Sequence, residues 1–280
     1  MLNGYKLSAE VARQAALARQ IATLQVQSST GLRLQNASDD PVGSARVAAI
    51  ATEQANQTVW TANARTAAGI AAGADDTLAA VQTAVTRAQE LMVQARSDTL
   101  SDGDRAAIAT ELRGIVEDLA GHAAATDSSG NPLFGQSATA IPIGRNMAVA
   151  AAPSYDDVFG AFDTGSGSRS LVDLVDAAAT ALEDGEDVTS DAFAALATQL
   201  EAAVTHVADQ QAAQGVRAAR IDAQADRLAT LKTSLASARS DIESADVTEM
   251  LSQLSAKMLV LEAAQAVLAK VNGSTLFDRI

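Results

Sequence analysis

The 280-residue chain contains no cysteine, which excludes a disulfide framework, a thiol nucleophile and a thiolate metal site. It has four prolines, so breaks in regular structure are rare. Aromatic residues make up 3% of the chain while apolar residues make up 48%, so the apolar content is mostly Ala, Leu and Val. That composition favours thin, closely approaching helical layers, because Ala combines the best helix propensity with the smallest apolar side chain. Basic residues are few as well: 20 Lys and Arg stand against 34 Asp and Glu, for a net charge of −14. Nucleic acid is thereby disfavoured as a partner, since phosphate binding needs clustered cations. No run of about 18 continuous apolar residues is present to span a bilayer, so no membrane partner is expected.

The negative charge is unevenly placed. Residues 1–35 carry Lys6, Arg13, Arg19 and Arg33 against Glu10, residues 246–280 are nearly neutral, and the acidic excess lies between them. A solvated acidic middle with near-neutral ends suggests that the ends are buried against something else. The start, MLNGYKLSAEVARQ, lacks the basic segment and apolar core of a secretory signal. The expectation is a soluble protein that leaves the cell, if it does, by a route without a cleaved signal.

Spacing gives the elements. Leu17, Ile21, Leu24 and Ser28 form a narrow four-three-four stripe, followed by a polar connector over residues 28–40. Asp40-Pro41 predicts a helix start, with Asp capping free N–H groups and Pro at the first helical position. From Val42 to about Arg96 the pattern is helical, with a seam at Leu78, Val81, Val85, Ala88 and Met92. After TLSDGD, in which Ser101 and Asp104 have capping-box spacing, Ile108, Leu112, Ile115 and Leu119 repeat the pattern and predict an antiparallel hairpin of helices. Residues 126–170 concentrate Gly, Ser, Pro and most of the Phe and Tyr, and read as an insertion holding one or two strands or a hairpin.

Helical patterning resumes at Leu171, pauses at EDGEDVTSD, and continues through Phe193, Leu196, Leu200, Val204, Val207, Ile221, Leu228, Leu231, Leu235 and Ile242. Asp246 and Glu249 have capping-box spacing before a last stripe at Leu251, Leu254, Met258, Leu261, Gln265 and Leu268, with Gly273 as the expected stop. Strict seams of this width are the mark of coiled-coil association, and ordinary packing within one chain is the competing explanation.

Reactive groups do not converge. His122 and His206 are the only histidines and have no two-ligand helix spacing. Acidic pairs such as Asp39-Asp40, Asp75-Asp76, Asp156-Asp157 and Glu186-Asp187 lack the spacing of a calcium loop and read as helix starts and solvated faces. Asp163 adds no partner at a definable distance. Glycine spacing offers no phosphate cradle. No catalytic residue, cofactor or metal is expected, and the chain does not read as an enzyme.

The connector SSTGLRLQNASDDPVGSAR, residues 28–46, resembles the segment that joins the first terminal helix to the body in flagellin-type proteins. Its DDP form is more similar to the hook-associated junction members of that family than to filament flagellin. RAQELMVQARSDTLSDGDRAAIATEL at 87–112, TDSSGNPLFGQ at 126–136, DVFG at 157–160 and the tail LFDRI are similar to the same group.

The resemblance implies a mainly α fold: long antiparallel helices and a terminal coiled coil forming a rod, with a small β-containing insertion. It divides the chain into a terminal assembly domain (1–40 and 246–280), a helical rod domain (41–125 and 171–245) and a variable insertion (126–170). It further implies a structural role at the hook-filament junction, as a ring of identical subunits between the first hook-associated protein and flagellin, after export without a signal peptide and with an export chaperone beforehand. A filament subunit is the alternative. The residues expected at the assembly interface are Leu17, Ile21, Leu24, Leu251, Leu254, Met258, Leu261 and Leu268, and the connector motif is Asp39, Asp40, Pro41 and Arg46.

Overall fold

A computed structural model describes the backbone of residues 2–277 and the side chains of residues 8–270. The protein is mainly α: α1 (Leu2–Thr30), α2 (Pro41–Ala95), α3 (Asp102–Ala123), α4 (Tyr155–Val158), α5 (Leu171–Glu183), α6 (Asp191–Glu243) and α7 (Val247–Phe277). Four short strands lie between α3 and α5: β1 (Ala140–Gly144), β2 (Met147–Ala150), β3 (Phe162–Asp163) and β4 (Ser168–Arg169). The chain divides into two compact units, one of residues 1–55 with 231–280 and one of residues 56–230.

In the unit of residues 56–230, α2 and α6 both carry a strict seven-residue repeat. On α2 the buried positions are Gln57, Ala64, Ala71, Leu78, Val85 and Met92, with Ala67, Ala74, Val81, Ala88 and Ala95 between them. On α6 they are Phe193, Leu200, Val207, Gln214, Ile221 and Leu228. Two side-chain bonds set the alignment. Gln57 Nε2 donates to the Leu228 carbonyl at 2.7 Å and Gln214 Nε2 donates to the Ala71 carbonyl at 3.1 Å. Fourteen residues forward on α2 therefore match fourteen backward on α6, and the helices run antiparallel. Periodic burial at every seventh residue is what a helix presents to a partner lying along it.

Two more helices cover this pair. Ser101 accepts from the Asp104 N–H while the Asp104 carboxylate accepts from the Ser101 N–H, closing the capping box that starts α3. Ile108, Leu112, Ile115 and Leu119 of α3 and Leu171, Leu174, Val175, Ala178 and Leu182 of α5 join the α2 and α6 seams in one apolar core. Arg113 of α3 reaches Asp176, Thr180 and Glu183 of α5, with 2.9 Å to Thr180 Oγ1 and 2.7 Å to Glu183 Oε2. Charge-assisted contacts hold the Glu183 carboxyl below its ordinary range, the hydrogen bond from Arg113 being the main cause.

The insertion contains two antiparallel strand pairs, β1 with β2 and β3 with β4. Ile143 and Val149 are buried against Ala64, Ala67, Ala71, Ile221 and Leu228 in a second apolar cluster. Phe134 meets Phe159 edge-on at 5.4 Å, and His206 stacks on Phe162 at 4.5 Å. Phe134, Phe159 and Phe162 thus join the insertion to the apolar core of the helices of the same unit, while Tyr155 is exposed.

Candidate assembly surface

The unit of residues 1–55 and 231–280 is built on α1 and α7. On α1 the shielded positions Glu10, Gln14, Leu17, Ile21, Leu24 and Ser28 follow a four-three spacing, and among the described residues of this helix Ile21 alone is fully buried, at 8% exposure. On α7 the shielded positions are Met250, Leu254, Lys257, Leu261, Ala264 and Leu268, and every other residue from 251 to 270 is exposed. Lys257 Nζ donates to Gln20 Oε1 at 2.8 Å, and the Ala245 N–H donates to the Gly31 carbonyl at 2.9 Å. Since residue 20 meets 257 and residue 31 meets 245, α1 and α7 are antiparallel.

The connector is fastened to the turn between α6 and α7. Gly31 has φ +69°, a left-handed turn that suits glycine and ends α1. Leu32 pairs with Ser244, the Arg33 N–H donates to the Glu243 carbonyl at 2.7 Å, and Arg33 Nη2 reaches the Ile242 carbonyl at 3.1 Å. Asp39 Oδ2 accepts from the N–H groups of Gln35 and Asn36. Asp40 Oδ1 accepts from the Gly43 N–H at 2.8 Å, capping the α2 start that Pro41 opens. That bond is the first cause holding the Asp40 carboxyl below its ordinary range, with Arg33 adding to it. A Cβ at Gly43 would stand 2.6 Å from the other carboxylate oxygen, Asp40 Oδ2, which faces Arg33, so glycine allows the close approach there. Arg46 is exposed on the second turn of α2.

The structure brings Leu17, Ile21 and Leu24 together on the shielded face of α1, and Leu254, Leu261 and Leu268 on that of α7. It leaves Leu251 at 48% exposure and Met258 at 50%, and it exposes Gln265. The seam within the chain therefore runs through Met250, Lys257 and Ala264 where the spacing pointed to Leu251, Met258 and Gln265. The cause is that α7 is apolar all round, so two interleaved three-four patterns share Leu254, Leu261 and Leu268. Four further apolar residues of α7 are exposed and absent from the expected interface: Val247, Leu259, Val260 and Val267, with Leu259 at 68%. Their signal was the low charge of the helix, since residues 247–270 hold only Glu249, Lys257, Glu262 and Lys270.

Two expectations at the end of the chain need correction or fall outside view. Gly273 does not end α7, which continues to Phe277, because an isolated glycine lowers helix propensity without stopping a helix that keeps negative φ. Of the tail LFDRI, Asp278, Arg279 and Ile280 lie outside the described residues. Among the described residues no group of three His, Asp or Glu side chains could hold a metal ion, and no helix is long and apolar enough to cross a membrane. His206 Nε2 lies 3.3 Å from the Val158 carbonyl, a packing contact between α6 and α4.

Two long terminal helices paired antiparallel, with the remaining helices and a small insertion between them in sequence, define a flagellin-type subunit. Residues 7–139 match the bacterial flagellin N-terminal helical region and residues 197–276 match the bacterial flagellin C-terminal helical region, so the chain belongs to the flagellin superfamily. Within it, the chain is 31% identical over 202 residues to flagellar hook-associated protein 3 of Escherichia coli and 32% identical over 216 residues to that of Salmonella typhimurium. Each match takes in 70% of this chain and 64% of the relative, so the chain spans about two thirds of the length of these relatives. The crystal structure of flagellar hook-associated protein 3 from Legionella pneumophila has the same fold, with a TM-score of 0.60 at 14% identity over 68% of this chain and 97% of that one.

Proposed function

We propose that this chain is a structural subunit of the bacterial flagellum that joins hook to filament, as a hook-associated junction ring on which flagellin assembles. The observation that carries the reading is the apolar surface of α7, which α1 covers along one side and leaves open on the others. An exposed apolar surface of this kind is stabilised by burial against another subunit. The kinship to hook-associated protein 3 supports a junction position, and the DDP connector supports it independently. In this reading the terminal segments 1–40 and 246–280 form the assembly domain, and the rest of the chain is the body with its insertion. The partners are further copies of the chain, the first hook-associated protein and flagellin, with an export chaperone beforehand. The work is mechanical and uses no catalytic residue or cofactor.

Deleting the gene in its own organism tests the placement. The expected result is cells with hooks, without filaments, shedding flagellin into the medium. Normal filaments would reject the role. The match to the flagellin helical regions is common to both placements, so a filament subunit is the second reading, and lost filaments with no flagellin shed would select it.

A further inference from the structure

We infer that Asn63, Gln214 and Gln224 are positioning residues that form an amide clamp fastening the β1–β2 hairpin to α2 and α6. A sheet of two strands leaves outward-facing carbonyls without a ladder partner on each edge. Here helix side chains supply the missing donors. Asn63 Nδ2, from α2, donates to the Pro142 carbonyl at 2.7 Å, and Gln224 Nε2, from α6, donates to the Ile143 carbonyl at 3.1 Å. Just after β2, the Ala151 carbonyl accepts from Gln214 Nε2 at 2.8 Å, and the same nitrogen reaches Ala71 on α2. The hairpin is held at both ends, and by both helices.

Two further observations fit a clamp better than incidental contact. Gln214 is fully buried, and its Oε1 is approached by Arg217 Nη1 at 3.5 Å, so both ends of a costly buried amide are engaged. Gly144 lies where an added Cβ would come within 3.3 Å of Gln224 Nε2, so the absent side chain makes room for the amide. Of the fully buried helix residues beneath the hairpin, Ala64, Ala67 and Ala71 offer one methyl each, and Ile221 and Leu228 are joined by the partly buried Trp60 and Ile70. Apolar burial is non-directional, and the amide bonds add a direction that fixes the hairpin's position on this bed.

Hydrogen exchange on the full chain tests the clamp, with peptides covering residues 140–151 read against those of α3 and α5. In N63A/Q214M/Q224A the hairpin is expected to exchange at least tenfold faster while α3 and α5 keep their parent rates. Unchanged hairpin exchange would overturn the proposal, and so would an equal rise everywhere, because the amides would then support the whole unit. If the triple variant fails to fold, N63A/Q224A keeps Gln214 in place and is expected to raise exchange at 140–144 alone; unchanged exchange there overturns the clamp.

Discussion

The α2–α6 pair and the α1–α7 pair use the same seven-residue grammar and reach different ends. Along α2 and α6, within residues 56–230, every seventh residue from 57 to 92 and from 193 to 228 is buried, and α3, α5 and the insertion pack onto the pair while Val59, Val93 and Val216 stay exposed. Along α1 and α7, among the described residues, most positions outside the strip between the two helices are exposed. The first pair is complete within one chain. The second has a seam that is sound in pattern and partial in coverage, with its surplus apolar surface concentrated on α7.

Breaking the buried pair should have the largest effect. Phe193→Ala removes a fully buried ring and should cost about 3–5 kcal/mol, read as a lower denaturant midpoint for the isolated subunit. Leu261→Ala, in the half-covered seam, should cost roughly 1–2 kcal/mol; a loss as large as that of Phe193→Ala would erase the contrast between the pairs. Ser101→Ala opens the α3 capping box and should cost about 1 kcal/mol without changing either seam. Leu259→Ser should move the stability of the free subunit by less than about 0.5 kcal/mol yet block junction assembly, seen as loss of filaments when the variant replaces the parent gene. Normal filaments with that variant would show that the open face of α7 is not a contact.

Acid sharpens the contrast further. The carboxyls of Asp104, Asp157, Glu183 and Asp187 are all held below their ordinary values by hydrogen bonds, from Ser101, Ser154, Arg113 and Thr189 respectively. A carboxyl with a lowered folded value stabilises the fold above its unfolded value, 3.8 for Asp and 4.5 for Glu, and loses that contribution as the pH falls through the folded value. All four, with Asp127, lie in the unit of residues 56–230, against Asp40 alone among the lowered carboxyls of the described residues in the other unit. The melting temperature of the unit of residues 56–230 should therefore be level near neutrality and fall below about pH 4.5.

Much of this was legible in the chain. Leu78, Val81, Val85, Ala88 and Met92 could be read as a seam because only one apolar pattern fits them, and all five are buried. Asp40-Pro41 and Ser101-Asp104 announced helix starts through chemistry that acts over three residues. The stripe of α7 was harder to place for the opposite reason: apolar residues on all sides supply more than one consistent pattern, and the one that faces α1 runs through Met250, Lys257 and Ala264 while Leu251 and Met258 stay exposed. The insertion was legible as an interruption holding one or two strands or a hairpin, and the structure has two short strand pairs there. Its order comes from Ser154 capping α4 and Ser170 capping α5, whose three-residue Ser-Asp spacing matches that of Ser101-Asp104 and was passed over, and from amides more than 60 residues away in sequence, which have no local spacing to detect.

The alanines of the α2 seam have a consequence for the loss of freedom on folding. Ala64, Ala67, Ala71, Ala74, Ala88 and Ala95 have no rotamers to restrict, so burying them carries no side-chain entropy penalty, whereas Leu78, Leu91 and Met92 each give up several states. One long helix thus passes from a stretch that orders at little entropic cost and discriminates weakly among neighbours to one that orders at greater cost and fits a particular neighbour.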